Sequence, residues 1–243
     1  MKTSEINVSL AGFNVGLSGA VPLRADWTET AQDRAILEFV ALLSGMVLKY
    51  GGRVVHGSHP TFTPVVLRQA ELHANLRAHP RPIELVMSNL WGADLDAFDR
   101  DRYQRNTEFT LVPQVGDGGK EDPKTRNASL SAMRRVLVQK MNLLVAVGGM
   151  THAGSALVAG VEEEIGLARR RGLPCFVVGG LGGKASEIAI RYGHDASGLN
   201  NGLTDEANRA LLFSKDVASC VSIIFEHLAR NPQLAKRTLS DLD

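Results

Sequence analysis

The chain has 243 residues, 44% of them hydrophobic and 22% charged, with a formal net charge of +1. That composition suits a water-soluble protein with a sizeable core. It supplies no long-range positive field, so DNA or RNA is not the expected partner. Two cysteines, Cys175 and Cys220, sit in the apolar runs LPCFVV and ASCVSII and show no metal-ligand spacing, which suggests buried thiols in a reducing compartment. The N-terminal MKTSEINVSLAGFNVG lacks the apolar stretch of a signal peptide. No window approaches the roughly 18 apolar residues that cross a bilayer. A cytoplasmic protein without a membrane span is expected.

Strand-like and helix-like segments alternate from the start. Phe13–Ala20 (FNVGLSGA) reads as a strand ending before Pro22. A helix is predicted over Thr30–Tyr50, capped by Thr28, with Ala31, Ile36, Phe39, Val40, Leu43 and Val47 at near-3.6 spacing. Gly51-Gly52 ends it, and Arg53–His56 follows as a short strand broken by Gly57-Ser58-His59-Pro60. Pro64 opens a helix running to about Arg77, and Ile83–Met87 is the next strand. Residues 90–107, aromatic and charged, suggest a lid or a short irregular helix.

Phe109–Val115 is a strand, and Pro113 suggests that it lies near an edge or ends early. Gly116–Thr125 is a loop, Asn127–Met141 an amphipathic helix, Leu143–Val147 a fully apolar strand, and Gly154–Arg171 a helix. Cys175–Val178 is a further strand, two helical pieces flank Asp216 within 204–229, and the tail after Asn231 reads as frayed. Strands that do not alternate in polarity, separated by helices, indicate a parallel sheet covered on both faces. The expected fold is α/β: a single doubly wound, mostly parallel, Rossmann-like sheet flanked by helices. One domain over residues 1–243, with its core at about 13–229, is expected.

Ligands of open parallel sheets bind beyond the carboxyl ends of the strands. Small-residue clusters fall at four such ends: Ser18-Gly19-Ala20, Gly57-Ser58-His59-Pro60, Gly148-Gly149-Met150-Thr151-His152-Ala153-Gly154-Ser155, and Gly179-Gly180-Leu181-Gly182-Gly183-Lys184. Each alone reads as a tight turn, but four on one edge suggest a shared cleft. Glycines let backbone N–H groups approach an anion, and a helix N-terminus adds a favourable dipole. The candidate ligand-binding residues are therefore Ser18, Gly19, Gly57, Ser58, His59, Gly148, Gly149, Thr151, His152, Gly154, Ser155, Gly180, Gly182, Gly183 and Lys184. His56, inside its strand, reads as a core histidine. Arg100, Arg102 and Arg105, with Tyr103 and Trp91, read equally as a base-stacking lid or an exposed charged loop. No metal site is expected, because His, Asp and Glu do not recur at ligand spacing on one element, and no cofactor is implied. Neither GxxxxGK[ST] nor GxGxxG occurs.

The segments VGLSGAVP, YGGRVVHGSHP, VAVGGMTHAGSALVAGVEEEIGLA and PCFVVGGLGG, over about Phe13–Gly183, resemble the SLOG superfamily. That superfamily of Rossmannoid domains includes the Lonely Guy phosphoribohydrolases, the DNA-processing protein A family, and ligand-sensing domains of bacterial antiviral and channel proteins. The Lonely Guy enzymes carry PGGxGTxxE, and Leu157 stands three residues after Gly154, where they have glutamate. The related nucleoside deoxyribosyltransferases carry GTxxExGxA. Gly160-Val161-Glu162-Glu163-Glu164-Ile165-Gly166-Leu167-Ala168 keeps that frame around Glu164, with valine for threonine.

GGMTxxGSA and FVVGGLGGKAS look closest to sensor-type domains, such as those that resemble Thoeris receptors for cyclic ADP-ribose-like signals. The resemblance thus implies a receptor for a nucleotide or ADP-ribose-derived signal, a homo-oligomer with an effector chain as a further partner. The alternative it implies is an N-glycosidic hydrolase or transferase with Glu164 or Glu163 as catalytic group. Helix periodicity puts Glu164 on a face with Ala153, Leu157, Val161 and Ala168. A salt bridge to Arg169, Arg170 or Arg171 is the plainer role for it, and two of the three glutamates read as solvated.

Overall fold

In the computed structural model, which describes residues 8–22, 30–75, 78–94, 103–151 and 159–236, six strands form one parallel sheet. These are β1 (Asn14–Ala20), β2 (Arg53–His56), β3 (Ile83–Ser88), β4 (Thr107–Val112), β5 (Leu143–Gly148) and β6 (Cys175–Val178), in the order β4-β3-β2-β1-β5-β6. The chain leaves β1 to one side for β2 and comes back on its other side as β5. The point of reversal, between the carboxyl ends of β1 and β5, is where an open sheet of this kind forms its crevice.

The expected α/β plan is therefore the observed one. Unbroken apolar strands arise because both faces are covered. Val15, Leu17, Leu143, Val145, Val147, Phe176 and Val178 enter one core, whereas Leu144, Ala146, Cys175 and Val177 enter the other. The first core is closed by α1 (Thr30–Lys49), α2 (Thr63–Leu72) and α7 (Val217–Arg230). The second is closed by α3 (Pro123–Gln139), α4 (Gly160–Arg170) and α5 (Lys184–Tyr192). A further helix, α6 (Asp205–Phe213), gives Leu211 to the first core and Leu212 to the second. No helix among the described residues is long and apolar enough to cross a membrane.

Several boundaries differ from expectation, each for a local reason. α3 starts at Pro123 because Asp122 caps it, accepting hydrogen bonds from the N–H groups of Lys124 and Thr125. α2 stops at Leu72, short of Arg77, with its last carbonyls satisfied by the His73 N–H. β4 runs from Thr107 and ends at Val112, because Pro113 follows and cannot donate to the ladder; it is an edge strand. α5 was hidden behind its glycine-rich lead-in, although Ala185, Ile188, Ala189 and Tyr192 make a buried stripe. The tail is not frayed over Pro232–Lys236, a 3-10 turn in which Leu234 is buried and the Ala235 carbonyl accepts from Asn142 Nδ2. After β5, α4 begins at Gly160, with Ala159 extended before it (φ −59°, ψ 136°); the expected start at Gly154 lies outside the described residues.

Candidate functional site

Three of the four glycine-rich loops are bonded to one another at the reversal point. The Gly149 N–H donates to the Ala20 carbonyl (2.7 Å), and the Lys184 N–H donates to the Gly149 carbonyl (3.0 Å). Gly148, Gly149, Gly182 and Gly183 all have positive φ, between 63° and 90°. A Cβ on Gly183 would stand 2.6 Å from the Gly148 carbonyl carbon, and one on Gly148 would stand 2.5 Å from the Ala20 oxygen. Gly19 is closed in by Val147 and Phe62, and Gly180 by Ser214. These glycines are required by loop-on-loop packing whether or not a ligand is present. Gly57 differs, since its nearest neighbours are the flexible ends of Leu137 and Met133 at 3.5 and 3.7 Å.

The Lys184 ammonium is already engaged, 2.8 Å from Glu187 and 3.1 Å from Glu162. Thr151 is half-buried at the end of its described segment, whereas His152, Gly154, Ser155, Arg100 and Arg102 lie outside the described residues.

The glutamate triplet divides as the helix period requires. Glu162 faces α5 and pairs with Lys184 and with Arg191 (2.9 Å). Glu163 accepts a 2.6 Å hydrogen bond from Arg134 Nη1. Glu164 turns inward with Val161, Ile165 and Ala168 and is only 9% exposed. Its counter-charge is Arg134 on α3, whose Nε lies 3.6 Å from Glu164 Oε1, rather than Arg169, Arg170 or Arg171.

The Arg134 guanidinium reaches both carboxylates by lying across Gly160, where a Cβ would stand 2.8 Å from Nη2. Burial pushes the Glu164 carboxyl above its ordinary pKa; Arg134 and the nearby Ser18 hydroxyl pull it down, and Glu163 pushes it up. Ser18, 1% exposed on β1, has a buried Oγ with no well-formed hydrogen bond among the described residues. It lies close enough to Glu164 to lower that carboxyl's pKa, so hydroxyl and carboxyl form one buried polar pair. Among the described residues no three His, Cys, Asp or Glu side chains could hold a metal ion.

Beside this cluster lies an apolar slot of about 310 Å3, lined by the β2 loop (Gly57, Ser58, His59, Pro60), by Met87 and Ser88 at the end of β3, by Trp91 just beyond it, and by Leu130 and Met133 of α3. The register that pairs Leu17 with His56 places Ser18 next to Gly57, and Met133 directly precedes Arg134. Ser18 and Arg134 are thus neighbours of slot-lining residues without lining the slot themselves. His56 is buried and held at both ring nitrogens: Nδ1 lies 3.3 Å from the Leu17 carbonyl and Nε2 accepts from the His59 N–H (3.0 Å). His59 Nδ1 accepts from the Thr61 N–H (3.3 Å) and lies 2.9 Å from Thr61 Oγ1. That bonding leaves Nε2 as the protonated nitrogen of the neutral ring.

Burial lowers both histidine pKa values, His59 to about 4. A depressed basic group contributes stability that is present above its unfolded value of 6.5 and is lost as pH falls through its folded value. Urea midpoints are thus expected to fall between ~pH 6.5 and ~pH 4, and His59→Gln to flatten that slope. An identical slope in the variant would contradict the bonding pattern described here.

Met87 and Ser88 on β3, Trp91 in the 3-10 turn after it, and Leu130 and Met133 on α3 come from three separate elements, and no local pattern in the sequence gathers them. Arg134 had a detectable signal: it lies inside the stripe Leu130-Met133-Leu137-Val138, and a charge on a buried face needs a buried partner.

A family model described as SLOG cluster2 matches residues 24–195. The chain belongs to the SLOG cluster2 family. This SLOG chain matches no curated protein. The X-ray structure of TM1055, a Northeast Structural Genomics Consortium target, is similar at 16% identity and a TM-score of 0.44, over 73% of this chain and 81% of that one. Within the SLOG domain, the GxxxE frame starting at Gly160 occupies the first turns of α4 and ends on the inward-facing Glu164. The alternative frame at Gly154–Leu157 falls outside the described residues.

Proposed function

We propose that this SLOG chain, as one unit over residues 1–243, binds a nucleotide or ADP-ribose-derived signal at the carboxyl edge of its sheet, acting as a sensor. The observation that carries this is a buried carboxylate and a buried hydroxyl beside β1, next to an apolar slot at the carboxyl ends of β2 and β3. A base would lie in the slot against Trp91, Met87 and Met133, within hydrogen-bonding reach of Ser58, His59 and Ser88. Ribose hydroxyls would engage Glu164 and Ser18. The phosphates would lie along the loops at Gly148-Gly149-Thr151 and Gly180–Lys184, with His152, Gly154 and Ser155 as the remaining candidates. Small-molecule sites have this makeup, an apolar lining with a few polar groups fixing orientation.

A second reading, cleavage of an N-glycosidic bond, is favoured by the raised pKa of Glu164, because perturbed carboxyls in clefts are often acids or bases. Arg134 weighs against it, since it ties up Glu164 and Glu163 together. A homo-oligomer, an effector chain, a role in antiviral signalling and a cytoplasmic location belong to the same proposal.

The test is a panel of nucleoside monophosphates, NAD and cyclic ADP-ribose isomers, following thermal shift and release of free base together. A sensor gains about 5–10 °C in Tm with ligand a hundredfold above Kd, without base release. Base release that disappears in Glu164→Gln would establish the enzyme instead. No shift with any ligand would overturn both.

A further inference from the structure

α3 and α4 run side by side on the outer layer, but their facing positions are small. Ala128 and Ser131 on α3 and Gly166 on α4 leave a groove of about 870 Å3 between the helices. A Cβ on Gly166 would meet only the Arg170 guanidinium, at 3.5 Å. That volume falls in the range of small-molecule sites, and the groove lies outside the slot already described, with the Arg134–Glu163 pair in its lining.

The charge in the groove is not balanced. Its two acids are already neutralised, Glu163 by Arg134 at 2.6 Å and Glu162 by Lys184 and Arg191. Arg135 on one wall and Arg170 on the other are exposed and enter no ion pair among the described residues, and exposed Lys124 also lines the groove. Guanidinium groups bind phosphate oxygens in a bidentate fork, and two of them flanking a groove suit a ligand with two anionic ends. A second copy of the chain fits poorly here. Apposing the groove on itself would bring Arg135 and Arg170 against their own kind, with both acids already committed elsewhere.

We propose that the α3–α4 groove is a second ligand site, for a small molecule bearing two phosphate-type anions held by Arg135 and Arg170. It is independent of the nucleotide cleft, and its occupant needs no base or sugar. Inorganic pyrophosphate is the probe, titrated calorimetrically at low ionic strength into the wild type, the Arg135→Gln/Arg170→Gln double variant and Ser18→Ala.

Saturable binding is expected in the wild type and in Ser18→Ala, weakened by added salt and weakened about tenfold or more in the double variant. Both arginines are exposed, so a melting curve like that of the wild type is expected and separates lost binding from lost folding. The proposal is overturned by an absence of saturable binding, by equal affinity in the double variant, or by binding lost in Ser18→Ala alone, which would place pyrophosphate in the cleft. Sedimentation supplies a further arm. A wild-type dimer that the double variant dissociates would assign the groove to a second copy instead.

Discussion

Arg134→Met is expected to lower the unfolding free energy by about 3–5 kcal/mol at ~pH 8, and Glu164→Gln in the same chain to return much of that loss. Arg134 is the shared counter-ion of two carboxylates, of which Glu164 is buried. Removing it strands a charge in a low-dielectric place, the expensive half of breaking a buried pair. Replacing Glu164 with a neutral isostere removes the stranded charge, so the two substitutions are strongly non-additive.

The pH dependence has a definite sign. The folded pKa of Glu164 is raised above the ordinary 4.5, so its contribution is fully present below that value and is lost as pH rises through the folded one. Without Arg134 the folded pKa rises further. The deficit of Arg134→Met relative to wild type is therefore smallest in acid and largest at alkaline pH. Urea denaturation of the wild type, both single variants and the double at ~pH 5 and ~pH 8 measures this. Additive losses, or a deficit that does not change with pH, would contradict the shared-counter-ion geometry.

Much of the fold was legible because its physics is local. Both-face burial makes β5 and β6 read as uninterrupted apolar runs, and the helix period put Glu164 on the face of Val161 and Ala168, where it is found. Its partner was not legible in the same way. Arg134 lies thirty residues upstream on another helix, and only the packing of α3 on α4 brings the two together. The basic run Arg169-Arg170-Arg171, closer in sequence, faces elsewhere; Arg169, for example, donates to the Gly198 carbonyl and covers the Tyr192 ring.

The glycines were legible as positions but not as causes. Gly148, Gly180 and Gly183 are needed because backbone from neighbouring loops occupies the space a side chain would take. The weight of the site therefore moves from the glycine loops to Ser18, Glu164 and the slot. Of the slot, Gly57–Pro60 and Trp91 were legible as candidates, but not their meeting with Met87, Ser88, Leu130 and Met133 from the end of β3 and the middle of α3.

The placement of a base in that slot leads to the second large expected effect, Ser18→Val. Valine deletes the hydroxyl of a side chain that is 1% exposed and adds a methyl-sized branch there. Overpacking of that kind costs about 1–3 kcal/mol, so the urea midpoint of the variant is measured beside its binding. A bound ribose would lose a partner in a buried place and face an apolar group. Sites built to bond a hydroxyl reject its loss strongly, and a weakening of about tenfold to a hundredfold follows.

Trp91 offers a direct reporter, since it lines the slot and the chain contains only two tryptophans. The decisive measurement is Trp91 fluorescence in a Trp27→Phe background, titrated with AMP and with ADP-ribose, with and without Ser18→Val. Binding as described predicts a saturable change in Trp91 emission whose midpoint moves at least about tenfold higher in Ser18→Val. Emission that no nucleotide alters, or a midpoint that Ser18→Val leaves in place, would contradict it.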